Sequence, residues 1–593
     1  MGTISDKLMR IINTKEDIRQ ALILKGYDVP TSIPFKEYAK MISDLPCKVD
    51  DFPKLPGDVT RWYFGGLTNE MMAAMDDPRI EDADHKGRFL SFKNFAWGGM
   101  SGVGGYVDNW NSSADWSINN YWVNSHTDHK LQLITASTVV QMKSNNIYNA
   151  ENVYKNILNV NGLTEAVNKG SVGGLRISAT DPITSKAIKT FSFDTDGVIQ
   201  ISFDDVLQDY CVVYFVYGNN TNDIDITIEQ LPLYPGALVF DGVDDYGVCD
   251  NFPILTKEKG YTVVALRQWI TRGKGALGLV SNVKNWLKDG AFLLEYRNIQ
   301  ADHLNKPISF GAIGSEMDLP HILTYQTSKS YNGVSITTGN FEGTDVLHVG
   351  KLAPTNVGTC INAAIWELVF LDHDATEEEL TKIKDYFVKT YPWLFPNQAW
   401  TVVGKTNEDK DRATIANITG NGNDLVLSNF GFAEGSGYNE EGEYAGYLVT
   451  DGVDDKIVSS VFGMGKDFTI VGDWKFIDNK KSGTGLVKES SFYIYNTMIG
   501  LDLYINSGSV KNSLDGIKSI NAACSDGRAY DRNWNEILAN TGNVVGSGGT
   551  LEVSSSGGRF DRIAFKNLAI YPRILSKDDC IKAYNYLQTL KSK

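Results

Sequence analysis

Three groups of residues in this chain have the types and spacings from which chemistry could be built. Two Asp-Gly-Val-Asp-Asp strings pair Asp244 with Asp245 and Asp454 with Asp455. Adjacent carboxylates can begin a calcium site, but calcium takes six to eight oxygens. An Asp-Gly pair between apolar runs is first a hairpin turn, so we read turns, with calcium as the alternative. His126-Thr-Asp-His129 offers two imidazoles and a carboxylate. Zinc wants a closed set of three or four ligands, and the sequence places no further one, which favours a solvated loop. Asp223-Ile-Asp225-Ile-Thr-Ile-Glu229 is the nearest approach to the carboxylate pair of sugar cleavage. Retaining chemistry needs those carboxylates about 5 Å apart, whereas alternation with Ile describes a half-buried strand. We therefore expect no catalytic residue. Trp97, Tyr106, Trp110, Trp116, Tyr121 and Trp122 form a local aromatic enrichment. Flat rings stack on sugar faces, which makes these the carbohydrate-binding candidates, with core packing as the competing role. Gly98–Gly105 lacks the Gly-Lys-Ser/Thr ending of a phosphate loop and reads as a flexible connection.

The elements that must position these groups fall into two kinds. Residues 1–45 carry short amphipathic helical stripes: Ile4, Leu8 and Ile11, then Ile18 and Leu22, then Phe35, Tyr38 and Ile42. Helices of about ten residues are marginal alone, so they should dock on a partner, self-associate as a dimer or trimer, or pack on the rest of the chain. Residues 46–61, with Pro53, Pro56 and Gly57, read as a linker. Past residue 60, short apolar alternations broken by Gly, Asn, Asp and Ser indicate an all-β chain.

Internal repeats organise that β region. Gly236-Ala-Leu-Val-Phe-Asp-Gly-Val-Asp-Asp245 returns as Gly446-Tyr-Leu-Val-Thr-Asp-Gly-Val-Asp-Asp455. Trp366-Glu-Leu-Val-Phe-Leu371 and its following helix return as Lys566-Asn-Leu-Ala-Ile-Tyr571 and a helix to Tyr586. Thr376 and Ser576 stand as N-caps with acidic first turns. An opening match pairs residues 84–95 with 418–430, and Thr68-Asn69-Glu70 with Thr406-Asn407-Glu408. The first copy would then be 62–108 with 236–395, interrupted by an inserted β domain at 109–235, and the second copy 396–593. The alternative is that 62–235 forms a separate tandem domain.

Bulk properties bound the function. At roughly 150 residues per domain, 593 residues predict about four domains. Fifty-six Lys and Arg against 72 Asp and Glu leave a net charge of −16, which argues against nucleic acid and anionic membrane as partners. We expect no membrane insertion and no signal peptide, since apolar runs of the needed length are missing. Cys47, Cys211, Cys249, Cys360, Cys524 and Cys580 are widely scattered, as reduced thiols made in a cytoplasm would be.

The landmarks Thr419-Gly-Asn-Gly-Asn-Asp424, Asp451-Gly-Val-Asp-Asp455 and Phe240-Asp-Gly-Val-Asp-Asp-Tyr246 resemble those of concanavalin A-like, laminin-G-type jelly rolls. The expected fold is thus mainly β and multidomain: two jelly-roll sandwiches, an inserted or tandem β domain and a short helical head. The head itself resembles the N-terminus of fibre and appendage proteins of crAss-like tailed phages infecting gut Bacteroidales. That resemblance implies a virion protein made in the bacterial host cytoplasm. Its residues 1–45 would contact other virion proteins of capsid or tail, and its β domains host surface polysaccharide. With no carboxylate pair at catalytic spacing, we expect no enzyme, and no cofactor beyond the calcium alternative. The second reading is a bacterial carbohydrate-binding or adhesion protein without catalytic activity.

Overall fold

Two strands, Asn362–Leu371 and Ile563–Tyr571, are buried along almost their whole length, and a sheet grows around each. Such continuously buried runs belong to strands covered on both faces. In the computed structural model, one face of each packs into a sandwich core and the other lies towards a C-terminal helix, Glu377–Thr390 or Lys577–Gln588. Ala363, Ile365, Leu368 and Phe370 enter the first core, so the inward face switches from odd to even positions. Ile563, Phe565, Leu568 and Ile570 do the same in the second. The switch is a β-bulge, seen where Leu266 faces Glu367 but Arg267 faces Ile365, and again where Asp473 faces Asn567 but Trp474 faces Phe565. One extra residue, Trp366 or Lys566, turns every later side chain over.

The residues described are 51–590, without 119–124, 134–138, 219–223, 271–276, 283–291, 297–307, 312–322, 336–342, 352–359, 478–482, 506–512, 516–519, 539–548 and gaps of one to three residues. The chain divides into two units, Met1–Lys54 and Leu55–Lys593. The helical stripes expected at Ile4, Leu8, Ile11, Ile18, Leu22, Phe35, Tyr38 and Ile42 lie outside the described residues.

The second unit is a mainly β, multidomain assembly of sandwiches. In the first sandwich, Asn362–Leu371 has Thr262–Trp269 on one side, and Leu238–Asp241 and Val59–Tyr63 end to end on the other. Ile563–Tyr571 is flanked in the same way by Thr469–Phe476, Tyr447–Val449 and Gln398–Thr401. Trp62 faces Leu368 and Trp400 faces Leu568. The opposing sheets share their strand order over the first six strands. They part at the edge, where Phe292–Tyr296 pairs in parallel with Ile308–Gly311 while Phe492–Asn496 pairs antiparallel with Gly500–Ile505.

Between Gly102–Val103 and Leu238–Asp241, two strands that pair with each other, the chain builds a separate sandwich of two five-stranded sheets. Among the described residues its strands pair only among themselves, and it has its own apolar core around Leu158, Leu175, Ile201 and Val212. The stretches 174–178, 188–193, 198–203 and 211–217 all supply strands to it.

Helix capping follows the sequence. Thr376 and Glu379 form a reciprocal capping box, and Ser576 accepts from the Asp579 amide. The helix Glu377–Thr390 is further tied to its sheet by a buried cluster. Arg61 donates to Glu367 at 2.8 Å, and Tyr391 donates to the same carboxylate at 3.0 Å. Burial raises the Glu367 carboxyl above its usual range, with the Arg61 charge opposing.

Candidate functional sites

The acidic turns are built the same way twice. Gly242 and Gly452 take φ of 82° and 73°, the left-handed region that Asp-Gly turns require. Asp241 Oδ1 accepts from the Val243 amide at 2.7 Å, and Asp451 Oδ1 from Val453 at 2.8 Å. Asp245 points inward, accepting from Ser101 Oγ at 3.1 Å and the Asp241 amide at 3.0 Å. Asp455 accepts from Ser436 Oγ at 3.1 Å and the Asp451 amide at 2.7 Å. Burial pushes their carboxyls up to about 7 and about 6. Asp244 and Asp454 are exposed. Each turn brings three carboxylates within 4.8 Å, a spacing that could hold a cation. The hydrogen bonds account for the pattern as backbone fastening.

Behind each turn lies a loop that sequence reasoning reached only in part. Asn69 brackets Val103, accepting from its amide at 2.7 Å and donating to its carbonyl at 3.3 Å. Asn407 brackets Tyr438 with two bonds of 2.8 Å. Gly102 and Gly437 precede those residues, and a Cβ on either would lie 2.5 Å from the asparagine Oδ1. Trp97 and Phe432 both take φ of 50°, and Asn94 and Asn429 both donate to the carbonyl of the exposed turn aspartate. The signal was present as Asn-Phe-x-aromatic followed by Ser-Gly, at 94–102 and 429–437.

The aromatic candidates divide. Trp97, Trp110 and Trp116 are 9%, 1% and 3% exposed and belong to two sandwich cores. Rings enclosed by protein present no face to a sugar, which corrects the carbohydrate-binding expectation for these three. Tyr106 is half-buried and stacks on His129 at 4.3 Å with the planes 9° apart. Tyr121 and Trp122 lie outside the described residues. His129 sits 3.9 Å from Glu229. Asp225 accepts from Gln132 at 3.0 Å, and four residues of extended strand place it about 13 Å along the chain from Glu229. That is too far for a retaining carboxylate pair.

One charged group escaped the sequence entirely. Asp108, 5% exposed, sits inside the inserted sandwich. It accepts from Tyr154 at 2.6 Å and Asn156 at 3.1 Å, and Tyr154 also meets the Tyr214 hydroxyl at 2.7 Å. Burial pushes the Asp108 carboxyl up to about 7. A lone Asp in a Tyr-Val-Asp-Asn string carries no sequence mark of such a role. Cys211, Cys249, Cys360, Cys524 and Cys580 are buried free thiols, and Cys47 lies outside the described residues. No helix among the described residues is long and apolar enough to cross a membrane.

A cleft of about 640 Å³ separates the helix Glu377–Thr390 from the second sandwich, lined in part by Tyr325, Lys384, Asn397, Asn421 and Arg573. Arg573 donates to the Val388 carbonyl at 3.1 Å.

No family model matches the sequence, and no curated protein does. Among solved structures, the chain aligns with the binding domain of Paraclostridial mosquitocidal protein 1 at 11% identity and a TM-score of 0.21, over 32% of this chain and 52% of that one. It thus spans about half of that domain's length. Trypanosoma rangeli sialidase in complex with sialic acid aligns at 9% identity and a TM-score of 0.25, over 91% of this chain and 100% of that chain. The binding domain of botulinum neurotoxin serotype D aligns at 11% identity and 0.23, over 58% and 89%. Likenesses this slight carry nothing about activity or ligand.

Proposed function

We propose that the protein is a non-catalytic fibre or appendage subunit of a tailed-phage particle. In this reading, residues 1–45 attach it to other virion proteins and associate two or three copies, and the sandwiches face outward to contact host surface glycans. The observation that carries the reading is the repetition itself. One sandwich plan is present twice, with the same bulge, Asp-Gly turn and asparagine bracket, and in both copies the buried turn aspartate fastens backbone. Carboxylates used in this way serve a display scaffold better than a reaction. The resemblance of the helical head to phage appendages supplies the particle, and repeated weak contacts across several copies would give useful avidity.

The direct test is particle composition. Protein mass spectrometry of purified phage should find this chain in stoichiometric amounts, and phage carrying a deletion of residues 1–45 should lack it. Full-length chain on a bacterial surface, missing from particles, would favour the adhesion reading instead.

A further inference from the structure

A second cleft, of about 550 Å³, lies where the inserted sandwich meets the second repeat. Its size falls within the ~300–1,000 Å³ typical of small-molecule sites. One wall comes from the strands Lys155–Asn161 and Gly197–Ser202 and the segment 231–235. The other is the turn 531–535 and the helix Lys577–Gln588. The walls are fixed to each other: Tyr584 donates to Gln200 at 2.7 Å, and Asn585 Nδ2 donates to the Pro232 carbonyl at 3.4 Å.

Five carboxamides line this cleft, from Asn159, Asn161, Asn533, Asn535 and Asn585. Asn585 is 2% exposed, and its Oδ1 is buried with no hydrogen-bond partner. A buried acceptor left unmatched is a standing cost in the folded protein, and a ligand hydroxyl would relieve it. Trp534 lies between two of these asparagines with φ of 60°, an unusual conformation for a bulky residue. Asp531 holds it there: Oδ1 accepts from the Asn533 and Asn535 amides, both at 2.8 Å, and Oδ2 accepts from Asn535 Nδ2 at 3.2 Å. The lining charges balance, with Asp196 and Asp578 against Lys577 and Lys582. Asp196 is already engaged, accepting from the Leu163 and Thr164 amides. The larger cleft, by contrast, carries Arg573 and Lys384 against Glu377, and among the described residues none of the orphaned buried atoms lies on it.

We propose that this asparagine-lined cleft binds a neutral carbohydrate, an inference that rests on the glycan-contact reading and gives it a place and a ligand class. A carboxamide both donates and accepts, as each sugar hydroxyl does, and a site of balanced charge gains nothing from an anionic sugar. Apolar flanks at Val198, Leu231 and Ile581 suit the C–H faces of a pyranose.

The test uses the full chain with maltotriose, mannotriose, xylotriose and a galacturonate trimer, read by saturation-transfer NMR and calorimetry. At least one neutral trimer should bind. The rim variant Asn161→Trp should weaken it at least tenfold at unchanged melting temperature, and Asn585→Ala, which also removes the bond to Pro232, at least tenfold with a lowered one. Binding that survives both substitutions overturns this site while leaving glycan contact standing. Binding of the galacturonate trimer alone overturns the ligand class. No binding by any trimer at millimolar sugar overturns both the site and the glycan reading.

Discussion

Asp245 and Asp244 are neighbours in sequence with opposite fates, and the contrast gives a test. Replacing buried Asp245 with Ala takes the acceptor from the Ser101 hydroxyl proton and from the Asp241 amide, at a cost of about 2–4 kcal/mol. Asp244→Ala, at an exposed side chain, should change stability by less than about 0.5 kcal/mol. Thermal melts of both variants, with and without EDTA, check this; a calcium site would instead make both matter and make the chelator lower the melting temperature. Asp108 gives the pH signature. Its carboxyl is pushed up to about 7 by burial, against about 4 in an unfolded chain. The folded protein therefore holds a proton that the unfolded chain releases. Stability from this group is complete below about pH 4 and is lost as pH rises through about 7. Tyr148, Tyr154 and Tyr214 around it are themselves raised and stay neutral over that window. Asp108→Asn keeps an acceptor for Tyr154 and removes the titration, so relative to wild type it should gain stability between pH 5 and pH 8. Melts at the two pH values showing an unchanged difference would place the Asp108 titration elsewhere.

Among the elements, the clearest dependence is that of the helix Glu377–Thr390 on its sheet. Arg61→Met leaves Glu367 buried without its cation and should cost about 3–5 kcal/mol, whereas Arg61→Met with Glu367→Leu should recover part of that loss. Thr376→Ala, which opens the capping box, should cost about 1 kcal/mol. Denaturant titrations rank the four proteins. The elements legible in the sequence were those with local causes: Asp-Gly turns, capped helices and alternating strands. The bulges at Trp366 and Lys566 were not, because a bulge is a relation between two strands far apart in sequence. The core roles of Trp110 and Trp116 were hidden for a related reason. Trp110 and Trp116 pack on Tyr214, about one hundred residues away, at 6.0 and 5.8 Å. Proximity in sequence does not distinguish a ring that reaches a core from one that meets a ligand. Asn585 and Trp534 stayed invisible because their cleft forms only where two sandwiches meet.

Across the whole molecule, the sandwiches are joined by side chains as well as by the chain. Tyr571 donates to the Trp393 carbonyl at 2.8 Å, and Gln268 donates to Thr589 at 2.9 Å. A protein tied in this way would present its surfaces in fixed relation, which suits an appendage that engages a cell through several weak contacts. A chain lacking residues 1–45 should keep its cooperative melting, because the sandwiches carry their own cores, but should sediment as a monomer where the full chain is a dimer or trimer. The claim that this chain is a particle appendage is tested most directly by immunogold electron microscopy of intact phage, with antibody raised against residues 396–593. Gold on the exterior of most particles, and none on particles carrying the 1–45 deletion, is the expected outcome. Particles that contain no such chain and bind no antibody would overturn it.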